Sequence, residues 1–340
     1  MRIGYTIWSK RHGEMFHQYV SRAFKSGMSF ITVVFPFGYD VQTDRFSNPP
    51  SNMISIGKSI EVVKSLSAKG IDWVFKLQVH PVNLPADINP CWWPGYLTSK
   101  KFARWYPSFV VSFYGWLMRS FELKHPWMIV PGVELAGIVN EVNWSKLVRD
   151  LKKISPRSIV VYGANTWQPI RWNFSFLLWL AKLFRQDVAI LNQIMRYLPF
   201  KVGQQYRRWL ADLLYNAVLP IGFFRTFGCA GLSCYWWPSM VSFDSIKLYD
   251  KFAFDYKLWR WNIHAEFAYP EVVNRWRKSY PLHITETGVL SSSPLHLNRE
   301  FVMKWIEATF DRFEFAESIC IWDETKYPFV FDAVRAYLHG

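Results

Sequence analysis

Short apolar runs rich in β-branched and aromatic residues recur eight times along the 340-residue chain, and amphipathic segments separate most of them. The runs cover residues 3–8, 30–36, 73–79, 127–130, 158–162, 230–235, 282–285 and 318–322. They are too short for helices and have the composition of buried strands. Helical spacing is predicted at about residues 14–25, 56–69, 102–121, 144–153, 270–278 and 299–313, and Gly70 supplies a C-terminal stop for the second of these. Eight strands alternating with helices close most simply into an α/β fold, the (β/α)8 TIM barrel, which residues 1–340 would form as a single domain.

The alternation fails once. Between the fifth and sixth strands lies a segment, residues 168–227, longer than one strand-helix unit needs and with helical signatures of its own. It reads as a helical insertion on the barrel. Eight arginines and lysines stand in it against two aspartates, Asp187 and Asp212. Its apolar runs are too short and interrupted to span a bilayer, which takes about 20 apolar residues. Three roles fit it: a lid on the barrel rim, a docking site for a protein partner, or a helical pair lying on an anionic membrane surface.

Two carboxylates end strands in this scheme. Glu134 lies in Pro131-Gly-Val-Glu-Leu-Ala-Gly137, after the fourth run, and Glu286 in His283-Ile-Thr-Glu-Thr-Gly288, after the seventh. The C-terminal ends of barrel strands form the rim where catalytic groups collect, and a carboxylate closing a buried strand is costly unless paired or used. Strands four and seven face each other across the mouth. Such a pair suits cleavage of a glycosidic bond, in which one carboxyl protonates the leaving sugar and the other attacks the anomeric carbon from about 5–5.5 Å away.

Composition narrows the partners. Nineteen tryptophans exceed what packing usually requires, and indole faces stack on the C–H-rich faces of pyranose rings; core filling and membrane-interface anchoring are the alternative uses. The formal net charge of +14 would attract acidic polysaccharide or anionic lipid. No nucleic-acid motif accompanies it, so no nucleic-acid partner is expected. Cys91, Cys229, Cys234 and Cys320 lack metal-ligand spacing and read as buried free thiols; the histidines form no ligand pattern either, so neither a metal nor another cofactor is expected. The chain enters a strand at once, with no apolar stretch long enough for a signal peptide before it, and no transmembrane helix is predicted. A cytoplasmic or virion-associated location fits that reading.

Several motifs, in order, resemble clan A of the glycoside hydrolases, and within it family 113, the mannanase-like group. Gly132-Val-Glu-Leu135 resembles that family's Gly-Thr-Glu-Leu turn, Tyr162-Gly-Ala-Asn-Thr-Trp167 its Tyr-Ala-Ala-Asn-Trp strand end, and Lys76-Leu-Gln-Val-His80 its Leu-Lys-Pro region. The resemblance covers nearly the whole chain except the insertion. It implies a retaining hydrolase of β-linked oligo- or polysaccharide with Glu134 as acid/base, Glu286 as nucleophile and Tyr235 orienting the nucleophile. Trp322 would floor the subsite of the cleaved sugar, and His80, Trp92, Trp93, Asn165, Trp167 and Trp236 would contact sugar. Val133 stands where most clan members carry asparagine, a departure that family 113 shares.

Two other readings compete. One is a catalytically silent barrel that binds glycan or serves as a structural part of a larger assembly such as a phage tail. The other is a membrane-surface enzyme on a lipid-linked sugar, docked through residues 168–227.

Overall fold

The computed structural model describes residues 1–83, 97, 99–133, 135, 138–139, 141–165, 221–236, 280–289, 299–322 and 329–339. Its strands are β1 (Arg2–Ile7), β2 (Phe30–Asp40), β3 (Arg45–Ser47), β4 (Trp73–Val82), β5 (Met128–Val130), β6 (Ile159–Val160), β7 (Ala164–Asn165), β8 (Ala230–Trp236), β9 (Leu282–Val289) and β10 (Ser318–Ile321). The sheet runs β6-β5-β4-β2-β1-β10-β9-β8-β7 with every neighbouring pair parallel; β3 adds only an antiparallel edge to β2.

Closure follows from the two ends of that path. β6 and β7 belong to one run of chain, residues 159–165, so the sheet leaves from one half of a strand and returns to the other half. Across the interruption, Val161 N donates to Ile129 O at 2.9 Å and Gly163 N to Gly132 O at 3.1 Å, which continues the pairing with the β5 side. On the other side a Cβ on Gly231 would lie 2.2 Å from the Tyr162 carbonyl oxygen, so β8 reaches this strand only because residue 231 is glycine. Counted with β6 and β7 as one, eight parallel strands form the (β/α)8 barrel that the sequence predicts.

Helices α1 (Lys10–Glu14), α2 (Phe16–Lys25), α3 (Ile56–Ala68), α4 (Lys100–Phe121), α5 (Trp144–Ile154), α6 (Ile221–Phe227), α7 (Arg299–Arg312) and α8 (Phe329–His339) cover it. Ser9, Ser55, Ser99 and Asn143 cap α1, α3, α4 and α5, each side-chain oxygen accepting from an N–H three residues on. The helix predicted at 14–25 is thus part of a pair, α1 and α2, divided at Met15. The helix predicted at 270–278 lies outside the described residues, as do residues 168–220 of the predicted insertion. The segment's end is α6: Phe224 is buried, and Phe223 and Phe227 pack their rings against Trp144 of α5 and against Tyr162.

Between sheet and helices the core is apolar, built on residues such as Trp73, Phe75, Tyr106, Tyr114 and Leu147, all essentially inaccessible. A second buried population is polar: Thr6, Thr32, Lys76, Ser233, Thr285 and Glu286. Thr32 of β2 donates to Cys320 Sγ of β10 at 3.4 Å across the intervening β1, which places both inside the barrel. Cys229 and Cys320 are buried free thiols, as the sequence predicts.

Buried histidines couple this packing to pH. His12, enclosed by Tyr5, Trp8 and Tyr19, is held down to about 3 by burial and by the charge of Arg11; His283, bonded to Ser318 Oγ at 2.9 Å, is held at about 4 by burial. Both folded-state values lie below the ordinary imidazole value, so the unfolded chain takes up protons first. Their contribution to stability is complete above about pH 6.5 and is lost as the pH falls towards 4 and 3. The thermal midpoint is expected to drop over that window, and His12→Phe, which keeps the aromatic packing, should flatten the drop; an unchanged pH profile in that variant would exclude His12 as a source.

Candidate active site

β4 and β9 stand four strands apart along the sheet, so any contact between them crosses the barrel interior. One such contact exists. Lys76 Nζ of β4 forms an ion pair with Glu286 Oε1 of β9, and both side chains are buried, at 0% and 3% exposure. The ammonium also donates to the Thr285 carbonyl at 3.1 Å and lies 4.9 Å from the ring centroid of Trp322. From the neighbouring β8, Ser233 Oγ donates to Glu286 Oε2 at 3.1 Å. Each carboxylate oxygen therefore has a partner on a different strand. Burial without such partners would carry several kcal/mol of desolvation penalty per charge, by order of magnitude.

The backbone aims this carboxylate by an irregularity. β9 pairs Ile284 with Leu232 of β8 and then Glu286 with Ser233, and on its other edge Ile284 with Ile319 of β10 and then Thr287 with Ile321. Both ladders gain one residue on β9 between Ile284 and Thr287, which is a β-bulge at Thr285–Glu286. Bulges break the strict alternation of side chains and re-aim one of them, and they collect beside functional sites. The sequence reading ends this strand at residue 285 with Glu286 in a loop; pairing in fact continues to Val289. Beyond the glutamate, a Cβ on Gly288 would sit 2.0 Å from the Trp322 carbonyl oxygen. Glycine there lets β9 and the residue closing β10 press together, and Trp322 N donates to Thr287 O at 2.7 Å.

The other predicted residues fall into two groups. His80, on β4 in register with Gly38 of β2, is buried, and burial holds it down to about 4, so the imidazole is neutral near pH 7. Trp322 is 5% exposed and stacks on Trp8, itself 9% exposed, with ring centroids 4.9 Å apart; Val34 and Met53 complete this small apolar cluster. Asn165 of β7 pairs with Ser233, which pairs with Glu286, so the three positions form one row across the sheet. Tyr235 and Trp236 lie on β8 in register with Gly288 and Val289; their side chains, and that of Asn165, lie outside the description. Glu134, Trp92, Trp93 and Trp167 also lie outside the described residues. Glu134 has described neighbours on both sides: Val133 bridges Gly163, and Leu135 N donates to Tyr162 Oη at 2.8 Å.

Lys76, Ser233 and Trp8 have no assigned role in the sequence reading. For Lys76 a signal exists. A lysine inside Trp73-Val-Phe-Lys-Leu77 breaks an otherwise apolar run, and a buried cation needs a partner.

The described strands thus form a closed parallel (β/α)8 barrel with a buried carboxylate on a bulge in the middle of its seventh barrel strand. The chain shares this fold with a GH113 β-1,4-mannanase solved as a complex, at 11% identity over 99% of this chain and 97% of that one, with a TM-score of 0.57. A second GH113 β-1,4-mannanase structure matches at 12% identity, 99% and 97% coverage and a TM-score of 0.55. The GH113 β-mannanase AaManA from Alicyclobacillus acidocaldarius, in complex with ManMIm, matches at 11% identity, 99% and 96% coverage and a TM-score of 0.54. No family model and no curated protein matches the sequence, so the likeness is one of fold.

The ion pair makes a quantitative expectation. Lys76→Met should destabilise the protein by about 3–5 kcal/mol, because it leaves a buried carboxylate uncompensated, and adding Glu286→Gln should recover most of that loss. Denaturant titration of the two single variants and the double variant measures the coupling; simple additivity would mean that the two charges do not depend on each other.

Proposed function

We propose that the protein is a retaining glycoside hydrolase acting on a β-linked oligo- or polysaccharide, with Glu286 as nucleophile and Glu134 as acid/base. The observation that carries this reading is Glu286 itself: a buried carboxylate on a bulged barrel strand, held by Lys76 and Ser233. Such a group is fixed in one orientation, which is what attack on an anomeric carbon requires. Glu134, which follows β5 in the sequence, would protonate the departing sugar and then deprotonate the water that releases the glycosyl-enzyme. His80, neutral near pH 7, can donate or accept at a sugar hydroxyl. Asn165, Tyr235, Trp236, Trp92, Trp93 and Trp167 keep their proposed places around the cleft on the strength of the resemblance. The fold shared with GH113 mannanases makes β-mannosides the first substrates to test.

A second reading, a glycan-binding barrel without turnover, draws on one observation. Both oxygens of Glu286 are already engaged, and Trp322 offers little surface for a sugar to stack on. One experiment separates the two.

Incubation with activated 2-deoxy-2-fluoro β-glycosides should trap a covalent sugar on the peptide that carries Glu286, read by mass spectrometry, and Glu286→Ala should abolish turnover. Binding of glycan without any adduct or turnover would support the silent barrel instead. Glu134→Ala should lose most activity on substrates with poor leaving groups and recover it on activated ones in the presence of azide; uniform loss without rescue would remove Glu134 from the acid/base role.

A further inference from the structure

The outer face of α4 carries two exposed tryptophans. Trp105 and Trp116 are 46% and 44% exposed. They are three helical turns apart and so share one face, about 16 Å from each other along the axis. Phe109 and Phe113 lie between them, half-buried, and Phe46 of β3 abuts Trp105 with centroids 5.1 Å apart. Lys101 and Arg119 stand on the same side, one turn beyond each tryptophan, and both are exposed. The helix sequence KKFARWYPSFVVSFYGWLMRSF holds no acidic residue. Asp44 lies 3.6 Å from Lys101, and Glu122 is the helix's C-terminal cap residue.

We propose that this face docks on an anionic lipid bilayer, with the aromatic ridge entering the headgroup layer and the flanking cations meeting lipid phosphates. Aromatic rings bracketed by lysine and arginine are the chemistry of interfacial anchoring. The net charge of +14 supplies long-range attraction to the same surface. The ring geometry distinguishes lipid from glycan. A sugar platform needs free indole faces, whereas Trp105 stacks on Phe109 at 4.9 Å and 19°, and Phe109 on Phe113 at 6.3 Å and 20°. Phe109 therefore covers one face of Trp105, which leaves less of its indole open to a pyranose. Among the described residues no helix is long and apolar enough to cross a membrane, so the contact is with the surface.

The inference is independent of the catalytic reading, and its test does not use turnover. The full chain is sedimented with vesicles of phosphatidylcholine alone or mixed with phosphatidylglycerol. Pelleting with the anionic vesicles only, weakening as salt is raised, is expected. Trp105→Ser/Trp116→Ser and, separately, Lys101→Glu/Arg119→Glu should each reduce it by about tenfold while circular dichroism and the thermal midpoint stay unchanged. Equal partition onto both lipids, no partition onto either, or full binding by the folded tryptophan variant would overturn the proposal. So would tryptophan-dependent self-association in sedimentation velocity, which would assign the face to a second copy, or tryptophan-dependent retention on soluble polysaccharide, which would assign it to glycan.

Discussion

The Lys76–Glu286 pair is the contact on which the barrel interior depends. An ammonium and a carboxylate, both removed from water, hold opposite walls of the sheet together, and neither would be tolerated there alone. Ser233, the Thr285 carbonyl and the ring of Trp322 complete their surroundings. Filling this space with apolar side chains would give an equally stable barrel. Two charges stand there instead, at the level of the sheet where a bulge turns β9, and the proposed function gives them a use.

Rigidity at that level comes from backbone contacts that only glycine permits. Gly231 lets β8 close on the strand that carries Tyr162, and Gly288 lets β9 close on Trp322. The strand that carries Glu286 is thus pressed against the residue that closes β10. Outside, the described helices are joined to the sheet by apolar packing, and α4 turns an aromatic face towards solvent.

Much of this was legible in the chain. Strands buried on both faces leave continuous apolar runs, and seven of the eight predicted runs match strands closely. The eighth, residues 158–162, falls on the split strand, where pairing with one neighbour gives way to pairing with the other, a feature of closure that no local pattern records. The extension of β9 was hidden for a different reason. Thr285-Glu-Thr-Gly288 reads as polar loop, and its strand character comes from partners on both edges. Lys76 stood in plain view within a quoted motif, yet the group it pairs with belongs to a remote part of the sequence. The resemblance makes Trp322, at the end of the eighth run, a sugar floor; its stacking on Trp8 depends on β1 and β10 being neighbours, which the closed ring provides.

Thr285, whose carbonyl accepts from Lys76, lies 209 residues downstream of it. As the chain leaves the ribosome, β1 to β5 can assemble with their helices long before any carboxylate arrives for the lysine, and a half-built barrel must keep that ammonium wet. The interior can become dry only after β9 has been made and inserted. A chain that ended before residue 286 would leave the Lys76 ammonium without its carboxylate, a charge that a dry core does not tolerate.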